Sequence, residues 1–287
     1  MSNMVVRTNV FAMNAHRNMK NVGLEQGKAS NRLSSGFRIN SAADDAAGLA
    51  ISETMRAQIR GLDQASRNSQ DAQALIQTAE GGMNEITNML QRVRELTVQA
   101  ANDTNVDNNR EQIALEVNQL LSEIDEMAGR IEFNTRNLIE GSHKEDSDAL
   151  HFQVGANSGQ SLTLTIGSVK VDDLFTNANT LWSHDFDVQN APTGDAISAN
   201  IEDIQSALDK VSLERAKLGA VQNRLDYTMR SLDNASENLS DAESRVRNAD
   251  MAKEMMKFTM SNVLQQAATS MLSQANQLPN NILQLLR

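Results

Sequence analysis

Ile201, Ile204, Leu208, Val211, Arg215, Leu218, Gln222, Leu225, Met229, Leu232, Ser236 and Leu239 follow one another at alternating intervals of three and four residues. That spacing lays them along one face of an α-helix, because residues three and four apart are neighbours on a helix surface. No proline interrupts the run, and Gly219 is the only glycine between Gly194 and the C-terminus. At about 1.5 Å per residue the stripe is about 60 Å long. A helix of that length cannot hide such a narrow seam by itself, so the pattern predicts a rod that packs lengthwise on other helices.

Two earlier segments supply candidate partners. One seam reads Ile113, Val117, Leu120, Ile124 and Met127, with Asn108 and Glu111 spaced as an N-cap pair in front of it. Another occupies about 44–102, with Ile51, Met55, Ile59 and Leu62, then Ile86, Leu90 and Val93. Ser41 and Asp44 have the spacing of a capping box at its start. The pair Gly81-Gly82 inside it predicts a kink or break.

The chain ends repeat the pattern weakly. Towards the C-terminus it reads Met251, Met255, Phe258, Leu264, Ala268, Met271, Ala275, Leu278, Ile282 and Leu285; at the N-terminus Val6, Val10 and Met13 are followed by polar Arg17 and Lys20. Both ends are amphipathic but too polar to be stable alone, which predicts segments that order only against a partner. Between about Gly141 and Pro192 the texture changes to Gly, Ser, Asn, Asp and Thr, and Leu162-Thr-Leu-Thr-Ile166 alternates with period two. Phe152 to Val154 lies across the turn-rich stretch 155–159, and Val169 and Val171 continue the alternation after Gly167. This predicts a small β-hairpin insert, after which the C-terminal helical half returns alongside the first. The fold class is therefore mainly α, with long antiparallel helical rods, coiled-coil seams and a small β-hairpin.

Composition narrows the function. The 287 residues carry 26 Lys and Arg against 37 Asp and Glu, a net charge of −11 that argues against nucleic-acid binding. Only 3% of the chain is aromatic, a poor supply for a ring-lined enzyme pocket. The absence of cysteine excludes disulfides, thiolate metal sites and a Cys nucleophile. No apolar run approaches the 18 or more residues of a membrane span, and the first twenty residues lack the apolar stretch of a secretory signal peptide.

No catalytic constellation emerges. His16, His143, His151 and His184 are scattered, and none has the spacing that puts two imidazoles on one helix face. His143 with Glu145, Asp146 and Asp148 could gather a cation, but a solvated charged loop explains the same residues. Asp44-Asp45 and Asp172-Asp173 are adjacent carboxylates whose side chains diverge on helix or strand. No Gly-rich phosphate-binding motif is present, so no cofactor is expected. Of the fourteen methionines, Met13, Met55, Met127, Met229, Met255 and Met271 fall on apolar seam positions, which points to packing more than to a soft, promiscuous groove.

Particular runs of residues resemble a known family. Leu33-Ser-Ser-Gly-Phe-Arg-Ile-Asn-Ser-Ala-Ala-Asp-Asp-Ala-Ala-Gly-Leu-Ala-Ile-Ser52 closely resembles the N-terminal signature of bacterial flagellin. Gln91-Arg-Val-Arg-Glu-Leu96, Phe133-Asn134, Leu218-Gly-Ala-Val-Gln-Asn-Arg-Leu225 and the stretch 268–279 are similar to it too, in family order. The resemblance covers about 1–140 and 195–287. It implies a short-form subunit with a filament-core helix at 1–43, the halves of a helical rod at 44–140 and 195–245, a β-hairpin and variable surface segment at 141–194, and a second filament-core helix at 246–287. It further implies that the terminal helices pair as a coiled coil.

The function implied is that of a structural, non-enzymatic subunit of the extracellular filament used for motility. Such a subunit is exported unfolded through the flagellar secretion channel without a cleaved signal. The partners implied are other copies of the chain in a helical homopolymer, an export chaperone on about 251–287, and hook-filament junction and cap proteins. Membrane insertion is not among them. Flagellins are also recognised by host Toll-like receptor 5, and the positions matching the family's receptor contacts and subunit interface are Arg92, Leu96 and Glu116. Arg92 and Leu96, four apart, are expected to share a helix face. Subunit packing and surface solubility account for the same residues.

Other readings differ in kind. A hook-filament junction protein shares terminal helices of this type, but the signature in both halves favours flagellin. A proteolytic flagellin would carry a zinc motif in its insert, and the insert here has no HExxH. A generic coiled-coil effector or adhesin would fail to form long helical filaments.

Overall fold

The computed structural model describes residues 8–143, 148–175 and 194–285. It divides into two compact units, one formed by 58–236 and the other by 1–57 with 237–287. Two long helices, α2 (Ala46–Ala100) and α5 (Gly194–Arg247), contribute to both. The other elements are α1 (Val10–Ser35), α3 (Asp107–Arg130), β1 (Glu132–Phe133), β2 (Arg136–Asn137), β3 (Leu150–Gln153), β4 (Ser161–Leu164), the single turn α4 (Val171–Leu174), and α6 (Met251–Leu285).

In the unit of 58–236, the α5 seam is where the sequence puts it. All twelve of its positions from Ile201 to Leu239 are buried or half-buried, although the last, Leu239, belongs to the other unit. One apolar cluster holds Ile204, Val211, Leu218 and Leu225 together with Ile76, Met83, Ile86, Leu90 and Val93 of α2. Polar pairs at the rim fix the antiparallel register: Ser236 Oγ to Asp63 at 2.9 Å, Ser66 Oγ to Asp233 at 3.2 Å, and Gln73 Nε2 to Asp226 at 3.1 Å.

For α3 the seam packs on the core, off-centre, and the expected cap is absent. Its buried stripe is Ala114, Val117, Leu121, Ile124 and Ala128, leaving Ile113, Leu120 and Met127 half-buried on the flank. Alanine at two of the five inner positions is too weakly apolar to mark the phase. The helix also begins at Asp107 behind Val106, with no side-chain cap, so Asn108 and Glu111 lie inside the first turns.

The glycine pair does not break α2, which is continuous across Gly81 and Gly82. Gly81 faces open space, whereas a Cβ on Gly82 would collide with the Ile131 side chain just beyond α3. Gly82 thus leaves room on α2 for the Ile131 side chain. A hairpin the sequence reading missed follows: Glu132 pairs with Asn137 and Phe133 with Arg136. Asn134 (φ 51°) and Thr135 (φ 65°) both adopt the left-handed conformation, as a type I′ turn demands.

The expected hairpin forms, with Leu150 opposite Leu164 and Gln153 opposite Ser161. Leu162, Leu164 and Ile166 point into the core and Ser161 and Thr163 outward, the period-two burial that the alternation predicts. Val169 and Val171 do not extend the strand. Val169 donates its N–H to the Ile139 carbonyl at 3.1 Å, and Val171 opens α4, where Asp125 accepts its N–H at 2.8 Å. Lys210 Nζ reaches the Leu174 carbonyl at 2.6 Å and Glu214 accepts the Gly167 N–H at 3.2 Å, tying this segment to α5.

The other unit contains the terminal helices, which pair antiparallel. Asn9 Nδ2 donates to the Ala275 carbonyl at 2.7 Å, Gln26 Nε2 to Asn262 at 2.5 Å, and Arg32 lies 3.6 Å from Glu254. The face α1 turns inward is Ala12, Ala15, Met19, Gln26 and Ala29, and α6 answers with Phe258, Asn262, Gln265, Ala268 and Ala275. At the described positions the sequence seams of the ends have the wrong phase: Val10, Met13, Arg17 and Lys20 are exposed, as are Met251, Met255, Leu264 and Met271, while Phe258, Ala268 and Ala275 are correctly placed; Val6 and the side chains of Leu278, Ile282 and Leu285 lie outside the described residues. Ile51 is exposed too. Of the six methionines assigned to seams, Met55, Met127 and Met229 are half-buried and Met13, Met255 and Met271 are outside.

The connection between α1 and α2 begins at Gly36, whose φ of 73° ends α1 in a left-handed cap. Asp44 folds back to accept the N–H groups of Ser41 at 3.1 Å and Asn40 at 3.2 Å. These bonds, with that from Ser41 the stronger influence, hold its carboxyl below the usual carboxylate range. Ser41 and Asp44 thus form a turn, and the cap of α2 is Asp45, whose side chain accepts the Gly48 N–H at 2.9 Å.

Candidate interaction surface

Three features outside the cores could carry function. The first is the outer side of the terminal pair. Phe11, Met13 and Leu24 of α1 are exposed, as are Met256, Met260, Val263 and Met271 of α6. No charged residue occurs between Lys257 and Arg287, so α6 is apolar or neutral on every side beyond its first two turns. Large exposed apolar faces of this kind mark interaction sites.

The second is a clamp that sequence reasoning missed. Two guanidinium groups lie over the Phe37 ring, that of Arg56 at 5.2 Å and that of Arg247 at 5.0 Å from its centroid. Each arginine is anchored by a carboxylate, Arg56 on Glu243 at 2.9 Å and Arg247 on Glu53 at 2.7 Å. The Arg38 N–H donates to the Arg247 carbonyl at 2.7 Å and the Ala249 N–H to that of Gly36 at 2.9 Å. The chain's way out of α1 and its way into α6 are thereby stitched together.

The third contains the residues singled out by resemblance. Arg92 on α2 binds Glu116 on α3 through Nε at 3.1 Å and Nη2 at 2.9 Å, and Glu95 through Nη1 at 3.2 Å. Arg92 and Glu116 are half exposed, their side chains 50% and 49% accessible. Leu96 is not beside them on the surface: it is 2% exposed and belongs to the apolar cluster. The four-residue spacing from Arg92 places it at the helix edge, and its three-residue spacing from Val93 carries it into the core.

The cation-gathering loop is not assembled in the described part: His143 Nδ1 is engaged by the Asp148 carbonyl at 2.8 Å, while Glu145 and Asp146 lie outside the described residues, as does His184. Among the described residues no group of three or more potential metal ligands gathers. No helix among them is long and apolar enough to cross a membrane.

Long antiparallel helices and paired terminal helices that leave large apolar side chains exposed define a structural, self-associating class of protein. Residues 6–144 match the bacterial flagellin N-terminal helical region and 201–286 match the bacterial flagellin C-terminal helical region. A flagellin of Halalkalibacterium halodurans is 51% identical over 99% of this chain and 100% of its own length. One of Bacillus subtilis is 45% identical, with the same coverage of both chains. A solved structure assigned to the flagellar hook-associated class, from Vibrio parahaemolyticus, shares the fold at a TM-score of 0.60 and 13% identity, covering 71% of this chain and 100% of its own. The chain belongs to the bacterial flagellin family, in its short form, a family of structural filament proteins and not of enzymes.

Proposed function

We propose that this chain is exported unfolded through the flagellar secretion channel and polymerises outside the cell into the helical filament that drives motility. The observation that carries the reading is the outer side of α1 and α6, where Phe11, Met13, Met256, Met260 and Met271 stand exposed on helices that already have an inner face. Identical subunits whose contacts do not close into a ring build an open helix, and each such face is covered by neighbouring copies. The segments 1–43 and 246–287 form the filament core, and 44–140, 141–194 and 195–245 the shell around it. An export chaperone covers about 251–287 before secretion, and hook-filament junction and cap proteins meet the chain at the two ends of the polymer.

Seeded reassociation of heat-dissociated protein, followed by negative-stain electron microscopy, tests this. Filaments of uniform width are expected from the full chain and none from a variant lacking 1–40 and 251–287. Soluble monomer from both, even with seeds, overturns the reading in favour of a junction protein or coiled-coil effector.

The exposed ion pair favours a second role. Arg92 and Glu116 are the surface patch through which the free subunit is recognised by Toll-like receptor 5, and Leu96 supports them from the core. Arg92→Ala is expected to weaken receptor activation by monomer while seeded assembly stays measurable. Unchanged activation counts against it.

A further inference from the structure

On α6, Met256, Met260, Val263, Ala267 and Met271 are spaced by four, three, four and four residues, and all are exposed. They run along the side opposite Glu254, Phe258, Gln265, Ala268 and Ala275, which face α1. As whole residues the three methionines are 67%, 64% and 63% accessible, in contrast to Met83 in the core at 0%. Oxidation of methionine follows access to the sulfur and turns a flexible apolar side chain into a polar one. No charged side chain on α6 beyond Lys257 competes with these residues for the character of the face. One new dipole in each of several turns therefore changes the whole surface.

We propose that Met256, Met260 and Met271 form an oxidation-sensitive assembly site: their conversion to sulfoxides by peroxide arrests polymerisation of the free subunit. The step is a two-electron oxygen-atom transfer. The peroxide O–O bond breaks, an S–O bond forms, sulfur is oxidised and the peroxide is reduced to water, with no further co-reactant. In a helical polymer every subunit carries the sulfoxide at the same position, so each addition meets the same polar atom on a face that carries no charge beyond Lys257. The inference rests on the polymerisation reading above, since it assigns the stripe to the contact between copies.

The test treats full-length monomer with dilute hydrogen peroxide, maps sulfoxides by peptide mass spectrometry, and measures elongation from untreated seeds. Met256, Met260 and Met271 are expected to oxidise before Met83, and elongation to be lost as they do. The variant M256L/M260L/M271L keeps volume without sulfur and is expected to retain elongation after the same dose. In intact filaments the three residues are expected to resist it. Oxidised wild-type protein that elongates normally overturns the inference, as does a treated leucine variant that fails as badly as wild type. Failure of untreated wild-type protein to elongate overturns the polymerisation reading itself, and so is distinguishable.

Discussion

The pairing of α2 with α5 within 58–236 and the pairing of α1 with α6 are both antiparallel, yet they are made of different material. The first buries Ile76, Met83, Ile86, Leu90 and Val93 with Ile204, Val211, Leu218 and Leu225, none more than 1% exposed. In the second the inner positions are mainly Ala, Gln and Asn, and only Ala29 and Ala275 among the apolar ones are buried. A fully buried Leu, Ile or Met stabilises by about 1.5–3 kcal/mol, and an alanine has far less area to hide. The first pairing stabilises itself. The second only half-buries Met19 and Phe258 and leaves Phe11, Met13, Leu24, Met256, Met260 and Met271 outside, so its own contacts account for little of what it could bury.

The largest effect should come from the first pairing. Leu225→Ala is expected to destabilise the unit of 58–236 by about 2–5 kcal/mol in chemical denaturation, as buried leucine truncations do. Ala29→Gly in the second is expected to cost about 1 kcal/mol, the ordinary difference in helix preference. Equal losses would erase the contrast.

The glycine pair sharpens it at intermediate size. Gly82→Ala pushes on Ile131 and is expected to cost about 1–3 kcal/mol, whereas Gly81→Ala, facing open space, should gain about 0.5–1 kcal/mol. Thermal melts of the two variants should move in opposite directions. Met256→Ala on the outer stripe is expected to change monomer stability by no more than about 0.5 kcal/mol, yet to slow seeded elongation. A variant that melts early and elongates normally would place this side chain in the subunit's own packing.

The smallest effect is set by pH. Asp44 is held below the usual carboxylate range by backbone N–H groups, and Glu140 by the Lys170 ammonium at 2.7 Å. Both are depressed in the folded state, so their contributions are complete above the ordinary carboxylate range and fade as pH falls below about 4. Asp44→Asn and Glu140→Gln should each flatten the acid limb of a stability–pH profile by lowering the plateau at neutral pH slightly, with little change below the carboxylate range. An altered slope above pH 6 would contradict the assignment.

How much was legible follows from the same contrast. The α5 seam and the β3–β4 hairpin could be read because Ile, Leu and Val occupy their inner positions, so hydropathy and burial share a period. At the chain ends the two are out of phase. Met13, Met251, Met255 and Met271 point outward while Ala12, Ala15, Gln26 and Gln265 point inward, so a search for apolar stripes selects the side that faces away from the partner helix. The β1–β2 hairpin left only Asn134 as a signal for its turn. The surface pair Arg92–Glu116 was visible through family resemblance alone, because half-exposed charges have no periodic mark. The burial of Leu96 could have been read by extending Ile86, Leu90 and Val93 one more step of three. The Phe37 clamp joins residues about two hundred apart in the chain, a pairing no local pattern encodes.

The absence of ionisable side chains from α6 beyond Lys257 has a consequence for the medium. Whatever packs along those turns does so without taking up or releasing a proton from them, and without fixed charges for dissolved ions to screen. Cohesion at that surface should be insensitive to alkalinity, should not be weakened by brine, and should weaken on cooling as apolar contacts do.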